Sequence, residues 1–285
     1  MLSESAPAMV LAAVLGLAVG SFLNVLVHRL PRMLERAWQV QACELRGEPV
    51  SEAEVYSLWR PASHCPSCAT PLRWRDNVPV VSYLLLRGAC AHCAARIGMR
   101  YPLIEILTAS LFVVAVAFWG TGWQAIAAMG LLACLVALAF IDLDTQLLPD
   151  MLTLPLLWLG LFVNLFGLFA PLADAVVGAM AGYLSLWSVY WLFKLATGKE
   201  GMGHGDFKLL AAIGAWLGWQ VLPATIFLAA VVGALVGLAR IVLGRAAREQ
   251  PIPFGPFLSA AGPIRAVRGG PPTRYQPRWR VPSAQ

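Results

Sequence analysis

Six apolar runs, at residues 8–27, 103–119, 124–141, 151–170, 174–193 and 221–239, each approach or reach the ~20 residues an α-helix needs to cross a bilayer core. A chain with this pattern folds as a bundle of membrane helices before it folds as anything else. Composition agrees: 59% of the 285 residues are hydrophobic, 13% are charged and the mean hydropathy is +0.69, far from soluble-domain averages. Residues 209–219 (LLAAIGAWLGW) form a seventh, shorter candidate, half-buried or joined to the next run across Pro223. The first run lacks a charged leading region and a clear small-residue cleavage site, so it reads as a retained span rather than a removed signal.

The net charge of +6 is distributed unevenly. Ten basic residues lie between Arg29 and Arg100; Lys194, Lys199 and Lys208 bracket a glycine loop; Arg240, Arg245 and Arg248 follow the run at 221–239. The loops around 120–123, 170–173 and 219–222 have none. The positive-inside rule then predicts an N-terminus outside, a cytoplasmic insert at 29–102, and cytoplasmic positions for both the end of the span at 124–141 and the glycine loop. Topology accounts for the basic balance, so it does not argue for nucleic-acid binding.

Four segments follow. Residues 1–28 are a first transmembrane helix, and residues 29–102 a polar insert of about 70 residues, too small to rely on a hydrophobic core alone. Residues 103–262 are the main bundle. Residues 263–285 turn basic and proline-rich, and are expected to be disordered.

The insert carries Cys65-x-x-Cys68 and Cys90-x-x-Cys93. Two such knuckles can place four thiolates at tetrahedral corners about 2.3 Å from a zinc ion. Structural zinc is the favoured reading, and a redox or disulfide pair the alternative, which a cytoplasmic location disfavours. With four thiolates filling the shell, His64 and His92 are bystanders. Cys134 reads as a small core residue.

Two acidic stretches are placed on the same membrane face. In FIDLDTQLLPD (140–150), Asp142 and Asp144 point about 200° apart on a continuing helix, so only one can face a given bundle axis. Asp142, nearer the apolar run, is the better placed for burial. Pro149 ends the helix, and Asp150 is expected to cap the next. In GMGHGDFK (201–208), Asp206 precedes a new apolar helix, where a first-turn acid is also favourable. Gly201, Gly203 and Gly205 let another chain approach the backbone closely. No Lys-Ser/Thr follows, which excludes a phosphate-binding P-loop. Two aspartates at one site suit aspartic-protease chemistry, in which a close pair shares a proton. The competing reading of the same acids is an ion or proton path in a transporter. A zinc-binding assembly module without chemistry would leave both acidic motifs unexplained.

Five segments in order, GLAVGSFLNVLVHRLP (16–31), the two cysteine pairs, IDLDTQLLPD (141–150), GKEGMGHGDFKLL (198–210) and PIPFGPFL (251–258), resemble the type IV prepilin peptidases, the bifunctional leader peptidase/N-methyltransferases of bacterial inner membranes. The resemblance runs from near the start to about Gly262. It implies that Asp142 and Asp206 are the catalytic aspartates, the second in a glycine-x-glycine-aspartate motif from Gly203 to Asp206. It also implies that Cys65, Cys68, Cys90 and Cys93 hold zinc, tied chiefly to the methylation half. The implied substrate is a prepilin or pseudopilin, cleaved after a glycine, whose new N-terminal residue, commonly Phe, is methylated from S-adenosylmethionine. No Rossmann-type glycine fingerprint is present, so the methyl-donor site is of another kind, and the insert is expected to contribute to it. Family members continue PFGPFL into a last apolar span. Here the Gly-Pro-Arg tail replaces it, so the expected fold is a helical polytopic membrane protein of about seven spans, the last cut short.

Overall fold

A computed structural model describes residues 2–48, 56–243 and 253–268. It is built from nine helices among those residues: α1 (Leu2–Arg46), α2 (Val81–Leu85), α3 (Arg100–Trp119), α4 (Trp123–Thr145), α5 (Asp150–Leu165), α6 (Leu172–Thr197), α7 (His204–Leu217), α8 (Leu222–Val242) and α9 (Gly255–Arg268). Among the described residues there is no β-sheet, only two isolated bridges within the insert. Five helices, α1, α3, α4, α6 and the stretch Trp219–Val242 that contains α8, are long and apolar enough to span a membrane. Besides these five, α5 is a shorter apolar helix: it begins just after Pro149 and ends before Phe166, which leaves 16 residues of the run at 151–170 and its approach. The run at 209–219 is the latter part of α7, which stops at Leu217. Gly218, at φ +83°, and a short 3₁₀ turn at Trp219–Val221 separate it from α8, where Pro223 sits in the first turn.

Close helix contact comes from small residues, as expected where lipid is as apolar as leucine. A Cβ on Gly16 or Gly20 of α1 would stand 2.5 Å from Ala109 Cα or 2.6 Å from Glu105 Cα of α3. Gly178 and Gly182 of α6 do the same against α7: Gly178 and Gly214 meet backbone to backbone, and a Cβ on Gly182 would lie 2.6 Å from the Leu210 carbonyl. These two glycine pairs, each spaced by four, set how closely α1 approaches α3 and α6 approaches α7.

Helix α7 is the centre of the bundle. From Asp206 to Trp216 every residue except Lys208 is buried, and α5, α6 and α9 pack around it. At its far end Trp216 Nε1 donates to the Leu156 carbonyl at 2.8 Å. Buried Asn164 donates to the carbonyls of Ala215 and Trp216 and accepts from the amides of Phe169 and Ala170, which satisfies four main-chain groups at the C-terminal ends of α5 and α7.

Two sequence boundaries move. Helix α1 does not end near residue 28 but continues to Arg46, through Pro31 and a run rich in good helix formers (Leu, Met, Glu, Ala, Gln). The segment from Gly255 forms α9, whose Leu258 and Ala261 are buried against α4, α7 and α8, and the helix reaches Arg268, six residues into the expected tail. The rest of that tail, 269–285, lies outside the described residues.

Candidate active site and cysteine cluster

Arg100 at the start of α3 pairs with Asp144 in the last turn of α4 at 2.6 Å, and Lys208 of α7 pairs with Asp150 at the start of α5 at 2.6 Å. The second bridge joins the acidic stretch at 140–150 to the helix that carries Asp206. Asp150 is not an N-cap with a side-chain bond to the helix; it is the first helical residue, and its carboxylate goes to Lys208. Asp144 is partly exposed, whereas Asp142 is 4% exposed. The 100° per residue of a helix turns one acid to the surface and its near neighbour inward.

Asp142 is fixed by a main-chain group of the PIPFGPFL segment (251–258). The main-chain N–H of Gly255, first residue of α9, donates to its Oδ2 at 3.0 Å. A Cβ at Gly255 would lie 2.6 Å from that same oxygen and 3.3 Å from Leu148 Cδ1. Glycine is therefore required at this position by space rather than by φ.

Asp206, 6% exposed, lies in the first turn of α7. Its amide donates to the carbonyl of Gly203, the residue before the helix, and the Gly203 amide is among the groups acting on its carboxylate. So is the Asp142 carboxylate, so the two acids share one electrostatic environment. Leu148 bridges the two halves of the site: it fills the space a Cβ would need at Gly205, beside Asp206, and also touches Gly255, which holds Asp142. Oδ1 of Asp206 is buried and has no hydrogen-bond partner in the protein. A buried carboxylate oxygen without a donor is costly and marks a place for a polar ligand or water.

The three loop glycines serve different ends from those expected. None has φ > 0, Gly201 makes room for the Phe193 ring and Gly205 for Leu148. Only Gly203, with Asp206 Oδ2 3.8 Å from its Cβ direction, stays open. The loop is tied by Lys194, which donates to Glu200 at 2.9 Å and to the Tyr190 hydroxyl at 3.2 Å. The Lys194 ammonium holds the Glu200 carboxyl below its ordinary range. His204 is exposed and packs its ring on Tyr190 and Phe207, at centroid distances of 5.0 and 5.4 Å, as an aromatic support for the loop.

In the insert, the sulfur atoms of Cys65, Cys68, Cys90 and Cys93 all lie within 4.8 Å of one another, with Cys65 and Cys93 at 3.8 Å. A tetrahedral site with 2.3 Å bonds needs sulfur separations of roughly 3.8 Å, so the four thiols fit a metal ion. Both knuckles have one geometry: the Ala69 amide bonds the Cys65 carbonyl as Ala94 bonds Cys90, and the Cys65 and Cys90 amides bond Thr70 and Ala95. Ala69 and Ala94 each take φ +55°, the left-handed step that closes the turn. The Cys68 thiol donates to the Thr70 hydroxyl oxygen at 3.3 Å, which ties the first knuckle to the residue that follows it. His64 and His92 lie beside the cluster and outside the four-sulfur set.

Residues 14–119 match the family described as Bacterial Peptidase A24 N-terminal domain, and residues 129–238 the Type IV leader peptidase family. Among curated relatives, a prepilin leader peptidase/N-methyltransferase of Pseudomonas aeruginosa is 56% identical over 261 residues, covering 91% of this chain and 90% of that one. Proteins of the same name from Burkholderia pseudomallei and Pseudomonas putida are each 54% identical, covering 91% and 93% of this chain and 85% and 92% of their own. No solved structure matches the chain.

Proposed function

The chain belongs to the type IV leader peptidase family, and on that premise we propose that it removes the leader of type IV prepilins or pseudopilins with Asp142 and Asp206 and then methylates the new N-terminus. The shared name of the relatives pairs a leader peptidase with an N-methyltransferase, which supports a two-activity enzyme. The observation that carries the peptidase reading is the unpartnered, buried Oδ1 of Asp206 in the field of the Asp142 carboxylate.

Two carboxylates that act on each other in a poorly hydrated site do not both ionise, so the pair holds one proton between them. The ionised member takes a proton from water as its oxygen attacks the carbonyl of the leader's last glycine. The protonated member hydrogen-bonds that carbonyl oxygen as it gains charge. The tetrahedral intermediate collapses, the C–N bond breaks, and the proton taken from water passes to the leaving amine. The Gly255 and Gly203 amides orient the two carboxylates, and α7, packed on all sides, holds the geometry. Arg100 and Lys208 compensate Asp144 and Asp150, whereas neither Asp142 nor Asp206 forms an ion pair among the described residues.

Two further elements belong to the proposal. Cys65, Cys68, Cys90 and Cys93 would hold a zinc ion, which would fix the insert as a folded unit. The methyl donor would be S-adenosylmethionine: its S–CH3 bond would break as the methyl group passed to the amine of the new N-terminal residue, leaving S-adenosylhomocysteine and a proton. The enzyme lies in the bacterial inner membrane with the end of the bundle that carries Asp142 and Asp206 facing the cytoplasm, where a prepilin leader emerges. A transporter reading is disfavoured because both acids sit in terminal helix turns rather than on broken helices at mid-span. The test is to incubate the purified chain with a prepilin and methyl-labelled S-adenosylmethionine, and to follow leader loss and label transfer together. Loss of the leader followed by labelling of the shortened product supports the reading; an uncleaved, unlabelled prepilin overturns it.

A further inference from the structure

The insert is fastened to the bundle at a depth that has consequences for its surface. The Val80 amide, immediately before α2, donates to Oε2 of Glu105 at 2.8 Å. Glu105 is a buried residue of α3, five residues in from Arg100. Arg100 and Asp144 form a partly exposed pair and mark the polar edge of the bundle. At a rise of 1.5 Å per residue, Glu105 stands about 7–8 Å deeper. A headgroup layer is roughly 5–7 Å thick on each side of the hydrocarbon, so α2 starts near the boundary between headgroups and acyl chains. Val80 itself has φ +59°, a conformation that costs a β-branched residue energy and persists only where its surroundings enforce it.

From that anchor, α2 carries Val81, Leu84 and Leu85 on one face, and Leu84 and Leu85 are 68% and 79% exposed. Trp74 in the preceding turn and Trp59 are 76% and 78% exposed, and Trp59 stacks on Phe22 of the first membrane helix, with centroids 6.1 Å apart. On α3, next to the Glu105 anchor, Leu103, Ile106 and Leu107 are also exposed. Between residues 56 and 99 there are five arginines and a single acid, Asp76. Water is a poor neighbour for this face, and a bilayer offers what each part needs: acyl chains for the leucines, an interface for the tryptophans and anionic headgroups for the arginines.

We propose that α2 and the Trp74 turn form a lipid-docking face, with Val81, Leu84 and Leu85 set among the acyl chains of the leaflet on the insert's side and Arg73, Arg75 and Arg87 meeting anionic headgroups. The insert is then held to the membrane at two places, through Glu105 and through its own surface. Its cysteine cluster keeps a fixed height above the bilayer, next to the end of the bundle where Asp142 and Asp206 lie.

The test uses the full chain in nanodiscs of phosphatidylethanolamine and phosphatidylglycerol. A nitroxide is attached through p-acetylphenylalanine at position 84 or 85, a chemistry that leaves the cysteines untouched, and its collisions with oxygen and with a neutral nickel chelate are measured. References are labels at Ile106 on the lipid-facing side of α3 and at Glu44 near the end of α1. The expected result is oxygen access with nickel exclusion at both test positions, matching Ile106 and opposite to Glu44. Nickel access at both sites, meaning a water-facing surface, overturns the proposal. So does shielding from both reagents, which would mean that protein, such as a second copy of the chain, covers the face.

Discussion

The main-chain N–H of Gly255 donates to Oδ2 of Asp142 at 3.0 Å, joining the first residue of α9 to the last turn of α4 across 113 residues of sequence. A helix start thus steadies a carboxylate that would otherwise be free to rotate away from Asp206. Gly255→Ala puts a methyl group 2.6 Å from that oxygen, so the acid has to swing or α9 has to withdraw. Because misplacement of a reacting group by about 1 Å can cost roughly a hundredfold in rate, the expected effect is a fall in kcat for leader removal of about ten- to a hundredfold with KM little changed. Steady-state kinetics on a prepilin measure it, with a melting curve to show that the bundle is intact; an unchanged kcat contradicts the positioning role.

Asp144 differs from Asp142 by two residues and should differ far more in consequence. It lies in an exposed pair with Arg100, and such pairs contribute about 0–1 kcal/mol. Asp144→Asn is expected to lower leader cleavage by no more than about fivefold, the rate equivalent of that energy. A loss as complete as that of an inner acid would show that Asp144 belongs to the reacting pair.

Gly214 and Gly178 touch backbone to backbone where α6 crosses α7. A side chain at either position has no neighbouring side chain to displace, so the helices must separate. Gly214→Val is expected to destabilise the detergent-solubilised protein by at least the usual overpacking cost of about 1–3 kcal/mol, read as a lower melting temperature. An unchanged melting temperature would mean that the contact is not close in the folded protein.

The four cysteines should act as one unit. Cys65→Ser with Cys68→Ser removes half of the sulfur set, and metal analysis of the purified protein is expected to fall from one zinc per chain to near none. Methyl transfer should then fall more than leader cleavage, because the dyad rests on α4, α7 and α9 rather than on the insert. Equal loss of both activities would mean that the insert only supports the fold.

Much of this was legible from local spacing. The opposite facing of Asp142 and Asp144 follows from helical rotation, and the four-sulfur cluster from two C-x-x-C knuckles, because in both cases the spacing itself is the geometry. The support of the site was not legible. Gly255 acts through a main-chain amide, which every residue but proline possesses, on a partner 113 residues away. Leu148 is one leucine among many, and only the fold shows that it lies between Gly205 and Gly255. Helix α1 runs past residue 28 because the loss of hydrophobicity there marks the end of the apolar segment and not the end of the helix. The glycines at 201 and 205 do allow a close approach, but of Phe193 and Leu148 from the same chain. A glycine in sequence announces that something comes close, not what it is.

The central claim is that Asp142 and Asp206 act together on one peptide bond. Its most direct test is the rate of leader removal from a purified prepilin by Asp142→Asn, Asp206→Asn and the double variant, each confirmed by its melting curve to be folded. The account predicts that each single variant loses essentially all cleavage and that the double variant is no worse than either, since two groups that share one proton fail as a unit. Cleavage at a near-normal rate by either folded single variant would contradict it.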